Sequence, residues 1–140
     1  PALDELYLGR RGQGATLNGS AITVAATTDM GRACIELGWS TRIPAADHVA
    51  MIGRGYAAGA SVKRSASGAL GLCHVANGRT DAYAELHINA WDVAAGMVIA
   101  SEAGAVINDF FAGEGLAKGN PILCCTPAVA GPLREITGIV

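Results

Sequence analysis

The apolar positions of this chain fall into short runs whose period changes along its length. Near the start, apolar and polar residues alternate over residues 6–10 and 14–24, and this period of two is typical of half-buried strands. Asn18 and Gly19 lie inside the second run and form a strong two-residue turn signal. The glycines of the intervening RRGQG segment lack the spacing of a dinucleotide-binding loop. We therefore predict a β meander that ends near Ala25.

Helical periods follow further along the chain. The pattern predicts a helix over residues 45–58, with Val49, Ile52 and Tyr56 on one side and Gly59 ending it. Two later helical segments are apolar on most sides, so we expect them to be buried. These segments cover residues 69–77 and 92–103, and a terminal helix begins at Pro127, where proline is tolerated in the first turn.

Short apolar runs separate the predicted helices and are interpreted as strands. Their alternation with helices favours one layered α/β domain. The predicted strands cover residues 33–37, 60–63, 80–86, 105–110 and 122–126.

The composition is typical of a folded domain, and the sequence shows no sign of nucleic-acid binding or of a membrane span. The chain has 140 residues, is 51% hydrophobic and carries a net charge of -2. A chain of this size buries roughly two-thirds of its unfolded surface, so disorder is excluded. Its adjacent basic residues, Arg10 with Arg11 and Lys63 with Arg64, do not extend into the patch that nucleic acid requires. No apolar run reaches the roughly 18 residues of a membrane span.

The cysteines indicate a cellular compartment, and the first residue indicates how the chain arose. Cys34, Cys73, Cys124 and Cys125 include no CxxC pair, which predicts buried, reduced thiols in a cytoplasmic protein. No signal peptide is recognisable. The chain starts at Pro1 instead of methionine, which suggests a fragment or a processed product.

Asp92 is the foremost candidate for chemistry. Trp91 precedes it, and an apolar helix that starts with Val-Ala-Ala-Gly follows it. Aspartate at a helix N-terminus is often a cap, and the helix dipole stabilises its ionised form by roughly 0.3–1 kcal/mol. A charge at the edge of so apolar a helix usually needs a partner such as a cation, however. We therefore favour a metal ligand over a simple cap.

Two further features could belong to the same site. Glu85, near the end of the preceding strand, is either a solvated strand-edge residue or an acceptor for a substrate hydroxyl. Residues 65–68 precede a helix whose free N–H groups can hold a phosphate or polyol oxygen, although an ordinary serine cap explains them too. No zinc spacing relates the three histidines, and none is expected to be catalytic: His48, His74 and His87.

Together these segments resemble the C-terminal part of the inositol monophosphatase family of magnesium-dependent, lithium-sensitive phosphatases. The most specific match is WDVAAGMVIASEAGAVINDF, which resembles the second signature of that family. The flanking matches are DELYLGRRGQGATLNGSAI, IELGWSTR and SASGALGLCHVANGRTDAYAEL. The resemblance implies an αβαβα sandwich, of which residues 1–26 would form the last strands of the N-terminal, metal-binding domain. Residues 27–140 would form the C-terminal α/β domain on the substrate side.

The resemblance also implies roles for individual residues. Asp92 matches the metal-binding aspartate and is expected to hold Mg²⁺, and Glu85 matches a glutamate that contacts substrate hydroxyls. Ala66 stands where a glycine is usual, and the loop at Trp39 is slightly longer, and both departures bear on substrate shape. The remaining residues implied for the substrate pocket are Ala66, Ser67 and Gly68 in its backbone lining and Ser40 and Thr41 in a nearby loop.

One expected part of the site is missing from this sequence. The first signature of the family, a DPxDGT-type sequence with acidic residues upstream, binds most of the magnesium and helps to activate water. Magnesium prefers near-octahedral oxygen coordination, which one carboxylate cannot supply. We therefore expect no catalytic residue in this chain, no activity from the isolated chain, and a partner N-terminal half. A severed half should expose an apolar face that favours homodimers or aggregation.

The implied reaction is the hydrolysis of inositol 1-phosphate, with water attacking phosphorus in line. Histidinol phosphate, fructose 1,6-bisphosphate and adenosine 3',5'-bisphosphate are substrates of relatives with the same signature and remain alternatives. A different class of function also remains open, namely a non-catalytic module that binds a polyol, or a partner through an exposed sheet edge.

Overall fold

A small antiparallel sheet forms from the first part of the chain. In the computed structural model, which describes residues 3–140, β1 (Tyr7–Gly9), β2 (Ala15–Leu17) and β3 (Ser20–Ala21) pair in that order. Asn18 and Gly19 have φ of 50° and 81°, as a tight two-residue hairpin turn requires. The predicted meander is thus confirmed. Pro1 and Ala2, which belong to the predicted segment 1–26, lie outside the described residues.

A second, five-stranded sheet forms the centre of the molecule. Its strands are β4 (Cys34–Leu37), β5 (Ser61–Lys63), β6 (Ala82–Ile88), β7 (Val106–Ile107) and β8 (Asn120–Cys125), in the order β5-β4-β6-β8-β7. Strand β4 pairs in parallel with β5 and β6, whereas β8 runs antiparallel to β6 and β7.

The predicted strand over residues 105–110 shortens to two residues. The side chain of Asn108 takes over the hydrogen bonding after β7. Its Oδ1 accepts the N–H of Leu123 at 2.8 Å, and its Nδ2 donates to the carbonyl oxygen of Pro121 at 3.1 Å. Asparagine often replaces ladder bonds with such local bonds, which ends the strand.

The helices follow the predicted order, with one addition. They are α1 (Ala45–Ala57), α2 (Gly68–Ala76), α3 (Ala90–Glu102), α4 (Gly115–Lys118) and α5 (Ala130–Thr137), with 3-10 turns at Met30–Arg32 and Pro127–Val129. Helix α4 was not predicted, because its four residues are too few to show a helical period. Helix α3 begins two residues before the predicted Asp92.

The elements stack as alternating layers. Helices α2 and α3 pack on one face of the five-stranded sheet, and α1 and α5 pack on the other. The small sheet packs on helix α3. Gly9 of β1 lies so close to α3 that a Cβ at this position would be 2.8 Å from the Cα of Ile99. The order is therefore small sheet, helices, large sheet, helices, which matches the C-terminal part of the predicted sandwich.

One prediction about burial is wrong, namely that of a buried α3. In α1, Val49 and Tyr56 share one side as predicted, and that side faces solvent, with 64% and 60% exposure, while Met51 is fully buried. Helix α3 is only half buried: Val93 lies in the core, whereas Trp91 is 74% exposed. A helical period identifies a face, and whether that face is covered depends on the layers around it.

The remaining expectations concern the cysteines, membrane spans and the domain boundary. All four cysteines are free thiols; Cys73, Cys124 and Cys125 are buried and Cys34 is half-buried. Among residues 3–140, no helix is long and apolar enough to cross a bilayer. The predicted domain boundary between residues 26 and 27 stays a prediction.

Candidate functional site

A cavity of about 310 Å³ opens at the carboxyl ends of the parallel strands β4, β5 and β6. Ligands of open α/β sheets bind at this edge, where loops from neighbouring strands converge. Thr41 is exposed and lies outside the lining, so its role in substrate binding stays a prediction. The other predicted site residues all line the cavity: Asp92, Glu85, Ala66, Ser67, Gly68 and Ser40.

Asp92 is placed in the first turn of α3, where its carboxylate is exposed to the cavity. The residue at the cap position is Asn89, and no side chain caps the helix. The Asp92 carboxylate makes no hydrogen bond or ion pair within the described part of the chain. The cap interpretation is therefore wrong, and the carboxylate is available to a cation near the positive end of the helix.

The fit of a magnesium ion to this site is partial. Magnesium prefers carboxylate and other hard oxygen ligands, which Asp92 provides. Among residues 3–140, however, no group of three or more His, Cys, Asp or Glu side chains could hold a metal ion. Asp92 therefore suits magnesium as one ligand, and a complete coordination sphere needs oxygens from outside residues 3–140.

Glu85 is buried beside the cavity, with 7% of its surface exposed. Its Oε2 accepts a hydrogen bond of 2.6 Å from the hydroxyl of Tyr83, which is 1% exposed. The two residues are two apart on β6, so they share a face of a strand that lies between β4 and β8. The interpretation of Glu85 as a solvated strand-edge residue is therefore wrong.

Several charges act on the Glu85 carboxyl group. Burial raises its pKa, because a carboxylate loses hydration in the protein interior. The hydrogen bond from Tyr83 and the positive charge of Arg64 lower the pKa, and the negative charge of Asp92 raises it. Burial has the largest effect, so the carboxyl group holds its proton more tightly than an exposed glutamate does.

Three glycines make room for the Tyr83–Glu85 pair. A Cβ on Gly38, at the end of β4, would overlap the Glu85 carboxylate, with its carboxyl carbon only 2.8 Å away. A Cβ on Gly71 in α2 would lie 2.7 Å from Cε2 of the Tyr83 ring, and one on Gly68 would lie 3.2 Å from the Tyr83 oxygen. The pair is thus enclosed by two elements, the end of β4 and helix α2, each brought close by the absence of a side chain.

A buried acid holds the loop that leads into α2. Glu36 on β4 is fully buried, and its Oε1 accepts hydrogen bonds from both the N–H and the hydroxyl of Ser65. The ammonium group of Lys63 lies 3.3 Å from its Oε2. In the same loop, Ala66 has a φ of 61°, a strained value for a residue with a side chain.

Ser67 completes this loop as the N-cap of α2. Its hydroxyl oxygen accepts a hydrogen bond from the N–H of Leu70 at 3.3 Å. The expectation of an ordinary serine cap is therefore confirmed for Ser67. The side chain serves the helix, so what Ser67 and its neighbours offer to the cavity is the backbone.

Sequence reasoning missed several residues of the lining. Arg64 comes directly after β5, so the position of ligand sites at the carboxyl ends of strands could have identified it. Its guanidinium lies 3.5 Å from the carbonyl oxygen of Trp39, and Arg42 lies in the same loop as Trp39. His87 and Asn89 also line the cavity, between Glu85 and Asp92.

Comparison with known proteins gives a consistent result. The sequence model of the inositol monophosphatase family matches residues 1–136. The chain is 33% identical over 141 residues to the Nus factor SuhB of Vibrio cholerae, covering 96% of this chain and 53% of that protein. It is 39% identical over 112 residues to the Nus factor SuhB of Xylella fastidiosa, covering 79% of this chain and 41% of that protein.

Solved structures show the same likeness. The inositol monophosphatase of Anabaena superposes on the whole chain with a TM-score of 0.86 at 31% identity, and the match covers 57% of that protein. The extragenic suppressor protein suhB of Bartonella henselae matches 96% of the chain with a TM-score of 0.86 at 27% identity. The chain spans about half the length of the curated relatives that it matches.

Proposed function

Because this chain belongs to the inositol monophosphatase family, we propose that it forms the substrate side of a magnesium-dependent phosphomonoesterase that acts on a sugar or polyol phosphate. Inositol 1-phosphate is the substrate that we favour. The observation that carries this proposal is the convergence of Asp92, Glu85 and the N-terminus of α2 on one cavity. Metal ligand, hydroxyl acceptor and oxyanion donors are the groups that a polyol phosphate requires.

Each element of the cavity has a defined part in this proposal. Bound magnesium supplies the polarisation of the phosphoryl group and lowers the pKa of water. Asp92 would hold one such ion, and the Glu85 carboxylate would accept a hydrogen bond from a substrate hydroxyl. The backbone of residues 66–68 would face substrate oxygens, and Arg64 would add positive charge beside an anionic substrate.

The proposal includes a second half of the protein. The chain spans about half the length of its curated relatives, and Asp92 alone cannot complete a magnesium site. The outer face of the small sheet supports this view, because Leu6 and Leu8 are 60% and 56% exposed. A helical layer from an N-terminal half would cover them. Homodimer formation stays a prediction, which light scattering on the whole protein tests.

The test is phosphate release from inositol 1-phosphate by the full polypeptide with Mg²⁺. Asp92→Asn is expected to lower kcat/KM by at least about 100-fold, since even the outer partners of metal ligands contribute 10- to 100-fold. Asp47→Asn is the matched control, because Asp47 is also the third residue of a 13-residue helix but lies outside the cavity. Full activity of Asp92→Asn, or phosphate release by the isolated 140 residues, would contradict the proposal.

A second candidate follows from the names of the relatives. Several curated relatives are called Nus factor SuhB, so a non-catalytic role in binding a partner is also open. The two candidates differ in one measurement. A folded full polypeptide that hydrolyses none of inositol 1-phosphate, histidinol phosphate, fructose 1,6-bisphosphate and adenosine 3',5'-bisphosphate would favour the non-catalytic role.

A further inference from the structure

The hydroxyl of Tyr83 is a buried polar group to which the proposed function assigns no part. It donates to Oε2 of Glu85 at 2.6 Å, and no other side chain or backbone N–H of the described residues donates to that carboxylate. One oxygen of Glu85 is therefore occupied by Tyr83. The other, Oε1, has no donor within residues 3–140, and Glu85 lines the cavity.

The surroundings of the pair allow it little freedom to rotate. The Tyr83 ring lies against Gly71, and its oxygen lies near Gly68. The Glu85 carboxylate fills the space left by the missing side chain of Gly38. Since protein interiors are close-packed, a ring enclosed in this way holds its hydroxyl in one place. The hydrogen bond then fixes the carboxylate plane as well.

The charges around the pair keep the phenol as donor. Burial and the Glu85 carboxylate raise the pKa of Tyr83, so its hydroxyl stays protonated across the neutral range. Glu36 raises it further, and Arg64 lowers it. The groups that face Glu85 are Tyr83, Arg64, His87 and Asp92, and of these only Asp92 raises its pKa.

We propose that Tyr83 is a positioning residue that holds one oxygen of Glu85, so that the other oxygen accepts a hydrogen bond from a hydroxyl on the alcohol part of the substrate. This inference rests on the proposed function. It means that Tyr83 affects only substrates that carry such a hydroxyl. A phosphate ester without further hydroxyl groups has nothing to donate to Glu85 and does not sense its orientation.

The experiment uses the full polypeptide with Mg²⁺ and compares inositol 1-phosphate with phenyl phosphate. Tyr83→Phe keeps the ring against Gly71 and removes only the hydroxyl. We expect KM for inositol 1-phosphate to rise about tenfold, equivalent to about 1.4 kcal/mol, and the change with phenyl phosphate to stay below about threefold. Tyr56→Phe is the matched control, because Tyr56 is 60% exposed on α1 and lies outside the cavity.

Two further readouts separate positioning from a structural role. In the double variant with Glu85→Gln, removal of the Tyr83 hydroxyl should add almost nothing to the loss for inositol 1-phosphate, because the two groups act as one unit. The acid limb of kcat/KM for inositol 1-phosphate should also move to higher pH in Tyr83→Phe. The hydroxyl stabilises the ionised form of Glu85, so its loss raises the pH needed for ionisation.

The outcomes are distinct. If the unmodified protein hydrolyses no polyol phosphate, the proposed function fails. The positioning role is overturned if the unmodified protein hydrolyses inositol 1-phosphate and Tyr83→Phe has the same KM for it. It is also overturned if Tyr83→Phe loses activity equally on inositol 1-phosphate and phenyl phosphate. Should Tyr83→Phe fail to fold, 3-fluorotyrosine at position 83 keeps the ring and supplies a stronger donor. The acid limb should then move to lower pH, and an unmoved limb overturns the proposal.

Discussion

The contact between Gly71 and Tyr83 leads to a prediction in which two effects of one substitution oppose each other. Gly71 is a helical residue of α2, and its N–H donates to the carbonyl oxygen of Ser67 at 2.9 Å. On helix propensity alone, Gly71→Ala should stabilise the protein by about 0.5–1 kcal/mol. The new methyl group, however, would lie 2.7 Å from Cε2 and 3.0 Å from Cγ of Tyr83.

The packing effect should win. Carbon atoms in contact prefer about 3.5–4.0 Å, and Cδ2 of the ring lies closer still to the methyl position than Cε2, so the methyl group intrudes on the ring by more than about 1 Å. Tyr83 is 1% exposed and its hydroxyl is bonded to Glu85, so a displaced ring must give up core packing or this hydrogen bond. Overpacking of this kind costs about 1–3 kcal/mol. An overlap of more than about 1 Å puts the cost in the upper part of that range, about 2–3 kcal/mol, so the expected net loss after the helix gain is about 1–2.5 kcal/mol.

Urea denaturation of the 140-residue chain measures this loss, with Gly53→Ala as the matched control. Gly53 is an interior residue of α1, and no heavy atom lies within 4 Å of the position its Cβ would take. The control should therefore gain about 0.5–1 kcal/mol. The reasoning is refuted if Gly71→Ala is as stable as the unmodified chain while Gly53→Ala shows its gain, because the contact with Tyr83 would then cost nothing.

Three further predictions concern the buried acids and the uncovered sheet face. Glu36→Gln keeps an acceptor for Ser65 but removes the charge, and is expected to cost about 1–3 kcal/mol in urea denaturation; an unchanged midpoint would contradict this. As pH rises above 4.5, the unfolded Glu85 carboxyl ionises before the folded one, whose pKa is raised, so its contribution to stability falls until the folded group ionises. Glu85→Gln should remove that fall in a pH series of denaturation curves. Leu8→Ser should reduce self-association in light scattering and change stability by less than about 0.5 kcal/mol, and undiminished association would assign it to another face.

Local signals were sufficient for the order of the elements. The Asn18–Gly19 turn needs only positive φ at two neighbouring positions, and the sequence shows this directly. Burial is different, because it depends on which layer lies opposite. Gly96 of α3 packs on Leu72 of α2, whereas Trp91 of the same helix remains 74% exposed. No period within α3 distinguishes the two sides, since both are apolar.

The candidate site also contains residues that the sequence identifies and contacts that only the tertiary structure makes. Asp92 could be found because its segment resembles a family signature, and Glu85 because it lies near the end of a flanking segment that resembles the same family. Tyr83 and Glu85 have the spacing of residues on one strand face, but only the central place of β6 in its sheet buries them. Glu36 is an acid within an apolar strand, and its partner Ser65 lies 29 residues further on. Such a contact depends on how β4 and β5 pair, which no local pattern contains.

The strand order explains why Asp92 lines the cavity and Asp47 does not. The two residues are locally equivalent, and each donates its backbone N–H to a carbonyl oxygen three residues earlier at 3.1 Å. From β4 the chain crosses through α1 to β5 on one side, and then returns through α2 to β6 on the other side of β4. Right-handed crossovers in opposite directions place their helices on opposite faces of the sheet.

Helix α1 therefore starts at the same sheet edge as α2 and α3 but packs on the far face with α5. Its N-terminus and Asp47 are carried away from the cavity, while the N-termini of α2 and α3 meet across the end of β6. Open α/β sheets form ligand crevices where the crossover direction reverses, because the loops separate there. The chemical difference between the two aspartates thus comes from the direction of a chain crossover, and the exchange of Asp92 and Asp47 for asparagine measures that difference.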